Sequence, residues 1–355
     1  MNIPDTNAQI TGLAYALKES ISGYKTTTGP ASGDAIIHEL ILESCQHNPW
    51  FIAEHVVYAL ESLANDLLKI ADAEHALPGG GDISMPGDSP GGSDKSMPGD
   101  RTIGFLFRSA APLEGLAELF YLIKHRCTCE VMLSREHEYM VKKFLLFLES
   151  FPGLSGNVKV NNVKLSNFSG LISMSELGTT TKDYFSKYKT LQLYQKGNSI
   201  ILHGNEDESL LHKTAEMVCM YFGRSAQNVK VLFVPDEYDI DLLTPALEVY
   251  ADQLYHNRYY NNFEYRKSAM IINHIPYKER GSLLITESAS QAGYTGVLCI
   301  QRYSQAGDIM KNELSALYKP VNPVNELNFQ SDQLSLSTYT HNHEKITNFL
   351  QSTGN

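Results

Sequence analysis

The stretch YFGRSAQNVK, from Tyr221 to Lys230, joins a helix-patterned segment to a strand-patterned one, with Ser225 and Ala226 at its centre. A nucleophile at such a junction sits on rigid flanks, which suits covalent catalysis. Ala226 offers no nucleophilic atom. Ser225 offers a hydroxyl, but no base near it in sequence activates it. On residue types alone, a plain turn is the simpler account. The nearest thiol, Cys219, lies in the apolar run MVCMYF, where a buried structural cysteine is expected. His125, Cys127 and Cys129 in HRCTCE lack the second ligand pair that a four-coordinate zinc site requires, so this reads as a strand carrying two thiols. YHNRYYNNFEYRK is rich in aromatics and amides: Tyr259, Tyr260, Phe263 and Tyr265 with Asn257, Asn261 and Asn262. These residue types line a pocket, or they pack in a core or subunit contact. His256 is a candidate base there, although a lone histidine is more often structural. No glycine-rich phosphate fingerprint follows a strand pattern.

The elements that must position these residues alternate. NPWFIAEHVVYALESLANDLLKIADAEH has apolar residues at helical spacing, including Phe51, Val56, Leu60, Leu63 and Leu67, so residues 1–77 read as mainly helical. Residues 78–100, PGGGDISMPGDSPGGSDKSMPGD, cannot bury enough apolar surface to offset ordering and read as a flexible surface loop. After it, strand patterns (TIGFLF, CTCEVML, GLISMS, NSIILHG, NVKVLFVP, SLLIT, TGVLCIQRY) alternate with helix patterns. NVKVNNVKL reads as a strand or hairpin, and IDLLTPALEVYADQLYH as one helix. Such alternation implies βαβ units and mostly parallel sheets, the α/β class. A second α/β unit is expected from near residue 222, and HNHEKITNFLQS reads as a final amphipathic helix.

The 355 residues, 43% of them hydrophobic, suffice for two or three packed domains. The net charge of −11, with no basic cluster, argues against nucleic acid and anionic membranes as partners. No apolar run approaches the roughly 18 residues of a membrane span. Five scattered cysteines and an N-terminus without a signal pattern lead us to expect a cytoplasmic protein.

NPWF, ALESLA, PLEG, YFSKY, HGNE, YFGRSAQNVKVLFVP and NNFEYRKS occur in this order. Together they resemble the short fatty acyl-CoA reductases related to the reductase of bacterial luminescence, from about Asn48 to the C-terminal helix. The resemblance implies an aldehyde-dehydrogenase-like fold of two Rossmann-type α/β domains: a dinucleotide-binding type at 101–221, a catalytic type at 222–320, and a C-terminal tail and helix at 321–355. It implies NADPH-dependent reduction of an acyl thioester, carried by coenzyme A or an acyl carrier protein, through a cysteine thiolate. Oligomers are common on this fold.

This sequence departs from that pattern at the positions that matter. The nucleophile position falls on Ala226, and the asparagine expected to stabilise the oxyanion falls on Ala110. The lysine expected at the adenosine ribose falls on Met132. The Thr-Gly-Ser expected near the pyrophosphate reads ISMS, with Ser173 and Ser175, and Glu287 matches a glutamate at the nicotinamide ribose. His256, Tyr259, Asn261, Asn262 and Phe263 are the expected substrate-side residues. Losing one oxyanion donor typically slows catalysis by about 10²–10³, and losing a cooperating nucleophile by on the order of 10⁶. The expectation is therefore a scaffold whose reductase chemistry is lost or severely weakened, binding an acyl group or carrier, or serving an active paralogue as partner. Two alternatives stay open: an active reductase using Cys219, and a hydrolase or acyltransferase using Ser225, which needs a base such as His256 within about 3 Å.

Overall fold

The computed structural model describes residues 5–26, 35–73, 101–162, 164–322, 331 and 334–353. The glycine- and proline-rich stretch 78–100 lies outside them. Three helices, Thr6–Thr26, Ala35–His47 and Ala53–Asp72, make up the N-terminal region. Their apolar stripes, among them Leu13, Leu17, Leu40, Leu60 and Leu67, are fully buried. The stripe bends the packing inward because side chains three and four apart share one helix face.

Among the described residues, eleven strands form two sheets. β1 (Arg101–Phe107), β2 (Cys127–Leu133), β3 (Val158–Val160), β4 (Gly170–Ser173) and β5 (Lys189–Gln192) pair in the order β3-β2-β1-β4-β5, all parallel. β6 (Asn198–Ile201), β7 (Val229–Pro235), β8 (Lys278–Arg280), β9 (Leu283–Thr286), β10 (Val297–Tyr303) and β11 (Lys319–Pro320) pair in the order β11-β6-β7-β10-β9-β8, with only β8 antiparallel. β7 is buried along nearly its whole length and β1 at its centre, as a parallel sheet covered on both faces requires. The α/β class and the mostly parallel sheets follow from the alternating pattern.

Several expectations need correction. β6 and the helix Glu208–Cys219 belong with the second sheet, so the change of sheet falls before residue 198, not near 222. NVKVNNVKL supplies one three-residue strand, and β3 pairs only with β2, not in a hairpin. IDLLTPALEVYADQLYH is broken into a 3₁₀ turn, a short helix Thr244–Glu248 and a second 3₁₀ turn, because Pro245 has no N–H and is tolerated only at a helix start. The C-terminal helix, Thr338–Ser352, does not stand alone. It packs on the helix Leu116–Lys124 of the first α/β unit, burying Ile346, Phe349 and Leu350.

That contact contains a carboxyl group. Glu118 is fully buried and accepts from Asn342 Nδ2 at 2.9 Å. Burial pushes its pKa from 4.5 up to about 7, against the amide donor that favours the anion. The folded state therefore holds a proton that the unfolded chain releases, and stability falls as pH rises from about 4.5 to about 7. Glu118→Gln keeps the acceptor and removes the charge. In denaturant unfolding it should match the parent near pH 4.5 and gain on it towards pH 7, by up to about 3 kcal/mol at about 1.4 kcal/mol per pKa unit.

Candidate active site

The cleft between the two sheets is built where strands end. The segments after β1 (Arg108, Ser109, Ala110), β4 (Met174, Ser175) and β5 (Tyr194, Gln195, Lys196) meet the turn Gly223–Ala226 around a cavity of about 340 Å³. The carboxyl ends of parallel strands are where open α/β sheets bind ligands. The structure thus brings four of the sequence-derived positions, Ala110, Ser175, Ser225 and Ala226, into one cleft.

The turn is held under strain. Tyr221, Phe222 and Gly223 have φ of 56°, 57° and 63°, three successive residues in the left-handed region. Bulky non-glycine residues there cost on the order of 1–3 kcal/mol each and persist only when their surroundings fix them. Here aromatic neighbours do so. Phe222 packs against Trp50, His55, His256 and Tyr259, and Tyr221 against His55 and Tyr58. Arg224 lies over the Trp50 ring at 4.1 Å. His55 is buried and neutral, its pKa lowered to about 4 first by burial, so it adds no charge to this cluster. Beyond the strained residues, Asn228 ties the turn. Its Oδ1 accepts from Ser225 N at 2.7 Å, and its Nδ2 donates to the carbonyls of Met217 and Met220 at 2.8 and 3.0 Å.

Sequence reasoning missed the carboxylate at the centre. Ser225 Oγ donates to Glu114 Oε1 at 2.8 Å, and Ser109 Oγ donates to Glu114 Oε2. The backbone N–H groups of Ala111 and Ala226 contribute to the same carboxyl group. Burial nevertheless raises the Glu114 pKa. Glu114 stands in PLEG between Leu113 and Gly115, with φ of 55° and 106°, so a doubly left-handed loop aims it at the turn. Its signal in the sequence was a carboxylate inside an apolar segment. Lys230, the second residue of β7, was missed in the same way. It is buried at the cleft wall, and its Nζ donates to the Gly223 carbonyl.

The other expected residues lie elsewhere. Cys219 is 1% exposed, and burial pushes its thiol pKa far up. His256 is not the partner of Ser225. It caps the helix Asn257–Ile272, taking Tyr259 N at 3.3 Å, and its Nε2 bonds the Pro49 carbonyl at 2.7 Å. On that helix Tyr259 and Phe263 are buried, with Tyr259 Oη donating to Ser282 O at 2.7 Å. Asn261 and Asn262 are exposed, and Asn261 is two positions from both Tyr259 and Phe263, so it does not share their face of the helix. Met132 packs with the apolar cluster around Phe168 and Leu171, not in the cleft. Ser173 is fully buried, its hydroxyl bonded to the Ser175 carbonyl at 2.8 Å. Glu287 is exposed and pairs with Arg302 at 2.8 Å outside the cleft lining. Cys127 and Cys129 are buried, and no cluster of metal-ligating side chains occurs among the described residues.

No protein-family model matches the sequence, and no curated protein matches it. Solved structures do. The succinic semialdehyde dehydrogenase of Streptococcus pyogenes, in complex with NADP+, aligns with a TM-score of 0.56 at 12% identity over 85% of this chain and 72% of that one. An acetylating aldehyde dehydrogenase from Geobacillus thermoglucosidasius aligns with a TM-score of 0.56 at 9% identity over 90% and 75%. An NAD-dependent aldehyde dehydrogenase from Sinorhizobium meliloti aligns with a TM-score of 0.54 at 12% identity over 85% and 67%. The fold is aldehyde-dehydrogenase-like, with two mostly parallel sheets and a helical N-terminal region.

Two outcomes check this geometry. Alkylation of the native protein with iodoacetamide should label Cys45, the only exposed cysteine among the described residues, and leave Cys219 unlabelled until denaturant is added. Asn228→Ala should lower unfolding stability by about 3 kcal/mol or more, since it strands buried partners worth roughly 1–3 kcal/mol each.

Proposed function

We propose that the protein holds a fatty acyl or aldehyde group in this cleft without carrying it through acyl-enzyme reduction. The observation behind this reading is the Glu114 carboxylate. It takes up the Ser225 hydroxyl and the Ala226 N–H, the groups at the position where the resemblance to acyl-CoA reductases implies a nucleophile. With Ala226 and Ala110 also lacking reactive and amide side chains, a developing oxyanion would find the nearby donors already engaged by Glu114, which opposes its formation.

Cys219 does not replace the missing thiolate, because it is sealed in the core and burial disfavours its ionised form. Ser225 has an acceptor in Glu114, but the hydroxyl is 2% exposed and also accepts from Gln227 N at 3.0 Å. A nucleophile needs a free approach to carbon, and this hydroxyl is tied on both sides.

The Streptococcus pyogenes neighbour holds NADP+ and the Sinorhizobium meliloti neighbour is NAD-dependent, and the carboxyl ends of β1, β4 and β5 offer a corresponding place here. Arg108, Ser175 and Lys196 are polar side chains on that wall. Met132, sunk among apolar residues, and Ser173, bonded within its own turn, do not supply the ribose and pyrophosphate contacts that the resemblance implies. The residues therefore do not fit a firmly held NADPH, and no step of the proposed function runs through one. Acyl-CoA or an acyl carrier protein is the source of the acyl group in this reading, and an active paralogue or a second copy of the chain is the macromolecular partner. No described helix is long and apolar enough to cross a membrane.

Trp50 is the sole tryptophan and packs against Arg224, which lines the cleft, so its emission reports on the site through that contact. Titration with medium- to long-chain acyl-CoA should change that emission in a saturable way. NADPH absorbance in the same mixtures should stay flat. Thioester-dependent loss of NADPH absorbance by the protein alone would sink this reading, and so would emission indifferent to every acyl chain.

A further inference from the structure

We propose that Lys230 is a reactive amine of the cleft and forms an imine with an aliphatic aldehyde bound there. The inference rests on the reading that the cleft takes acyl or aldehyde ligands, and it adds a covalent role for a residue that this reading leaves unused.

Lys230 is placed unlike any surface lysine. β7 carries it into the wall shared by the two sheets, where it is 6% exposed and lines the cleft beside Gly223, Arg224 and Ala226. The chain makes room for it. A Cβ on Gly197 would lie 2.5 Å from Lys230 Cγ, and one on Gly223 would lie 3.8 Å from Nζ, so glycines flank the side chain along its length. Its hydrogen bond to the Gly223 carbonyl uses one of three donors, and no ion pair among the described residues includes it. A buried ammonium without a carboxylate is unfavourable, and such a group relieves the penalty by releasing its proton. Burial first, and then the neighbouring Arg224 guanidinium, lower its pKa from 10.5 to about 8. Depressed by desolvation and a nearby cation, the amine has the setting that activates lysine as a nucleophile for carbonyl compounds.

The chemistry balances without a cofactor. The neutral Nζ attacks the aldehyde carbon and gives a carbinolamine. The carbonyl oxygen then leaves as water with both amine hydrogens, and a C=N bond remains. Nothing is oxidised or reduced, and hydrolysis returns the aldehyde. An aldehyde held in this way is kept from other amines and can be handed on.

The test is reductive trapping on the full chain. The protein is mixed with limiting n-octanal and sodium cyanoborohydride at pH 7.5, digested, and mapped by mass spectrometry, while Trp50 emission is recorded in parallel. The cyanoborohydride hydride converts the imine to a stable octylamine. At this pH a group of pKa near 8 has on the order of a hundredfold more neutral amine than a lysine at the ordinary value near 10.4. The peptide bearing Lys230 should therefore carry at least about tenfold more octyl adduct than that of any exposed lysine, such as Lys18 or Lys182. Lys230→Met, which keeps most of the side chain's length and removes the amine, should abolish that adduct. The wild-type map decides the matter even if this variant does not fold. Adducts spread over exposed lysines with Lys230 bare, while Trp50 still responds, would overturn this inference alone. No response of Trp50 to octanal or acyl-CoA, together with a bare Lys230, would overturn both it and the proposed function.

Discussion

The strained turn Tyr221–Phe222–Gly223 is the constraint from which the rest of the site follows. Two bulky aromatics in the left-handed region would relax in isolation. They are held because Trp50, His55 and Tyr58 from the N-terminal helical region and His256 and Tyr259 from the helix Asn257–Ile272 close around them. The N-terminal helices are thus more than a cover for the first sheet. They fix the backbone from which Arg224, Ser225 and Ala226 face the cleft. The link from His256 to the Pro49 carbonyl joins the two sides of this clamp directly.

Given that fixed turn, the composition of the cleft is set by what reaches it. From the first unit comes Glu114, on a loop whose backbone is itself left-handed at Leu113 and Gly115. From the second comes Lys230, through a gap left by glycines. A carboxyl group therefore gathers hydrogen-bond donors at the turn, and an amine stands at the wall without a counter-ion. The fold is aldehyde-dehydrogenase-like, and the groups at this cleft are a carboxyl and an amine. Function is set by such groups and not by the fold around them.

The same contrast separates the regions of buried charge. Glu118, between the helix Leu116–Lys124 and the C-terminal helix, has an amide partner and is pushed towards its neutral form. His137 and His55 are likewise kept neutral, at about 4. Burial is the first cause in each case. Burial thus shifts these groups towards their neutral forms, and it lowers the pKa of Lys230 in the same direction.

Alternating apolar patterns in the sequence were enough to determine the α/β class, most of the strands and helices, and the absence of a reactive side chain at position 226. Those features are local: burial on both faces writes a continuous apolar run, and an alanine is an alanine wherever it lies. The resemblance to acyl-CoA reductases pointed to Ala110, Ser175 and Ala226, which the strand ends do bring into one cleft. The tertiary structure alone decided the rest. Glu114 and Ser225 are 111 positions apart and meet only because the fold brings the loop after β1 to the turn before β7. His256 is nearer in sequence to Ser225 than Glu114 is, yet it caps a helix and bonds Pro49. Asn261 and Tyr259 are two residues apart, and the turn of the helix sends one outward and the other into the core. Change of sheet before residue 198 is equally invisible locally, since β6 reads as a parallel strand in either sheet and only its pairing with β7 assigns it. Side-chain type is written in the sequence, but the desolvation and the partners that set a side chain's reactivity are properties of the packed whole.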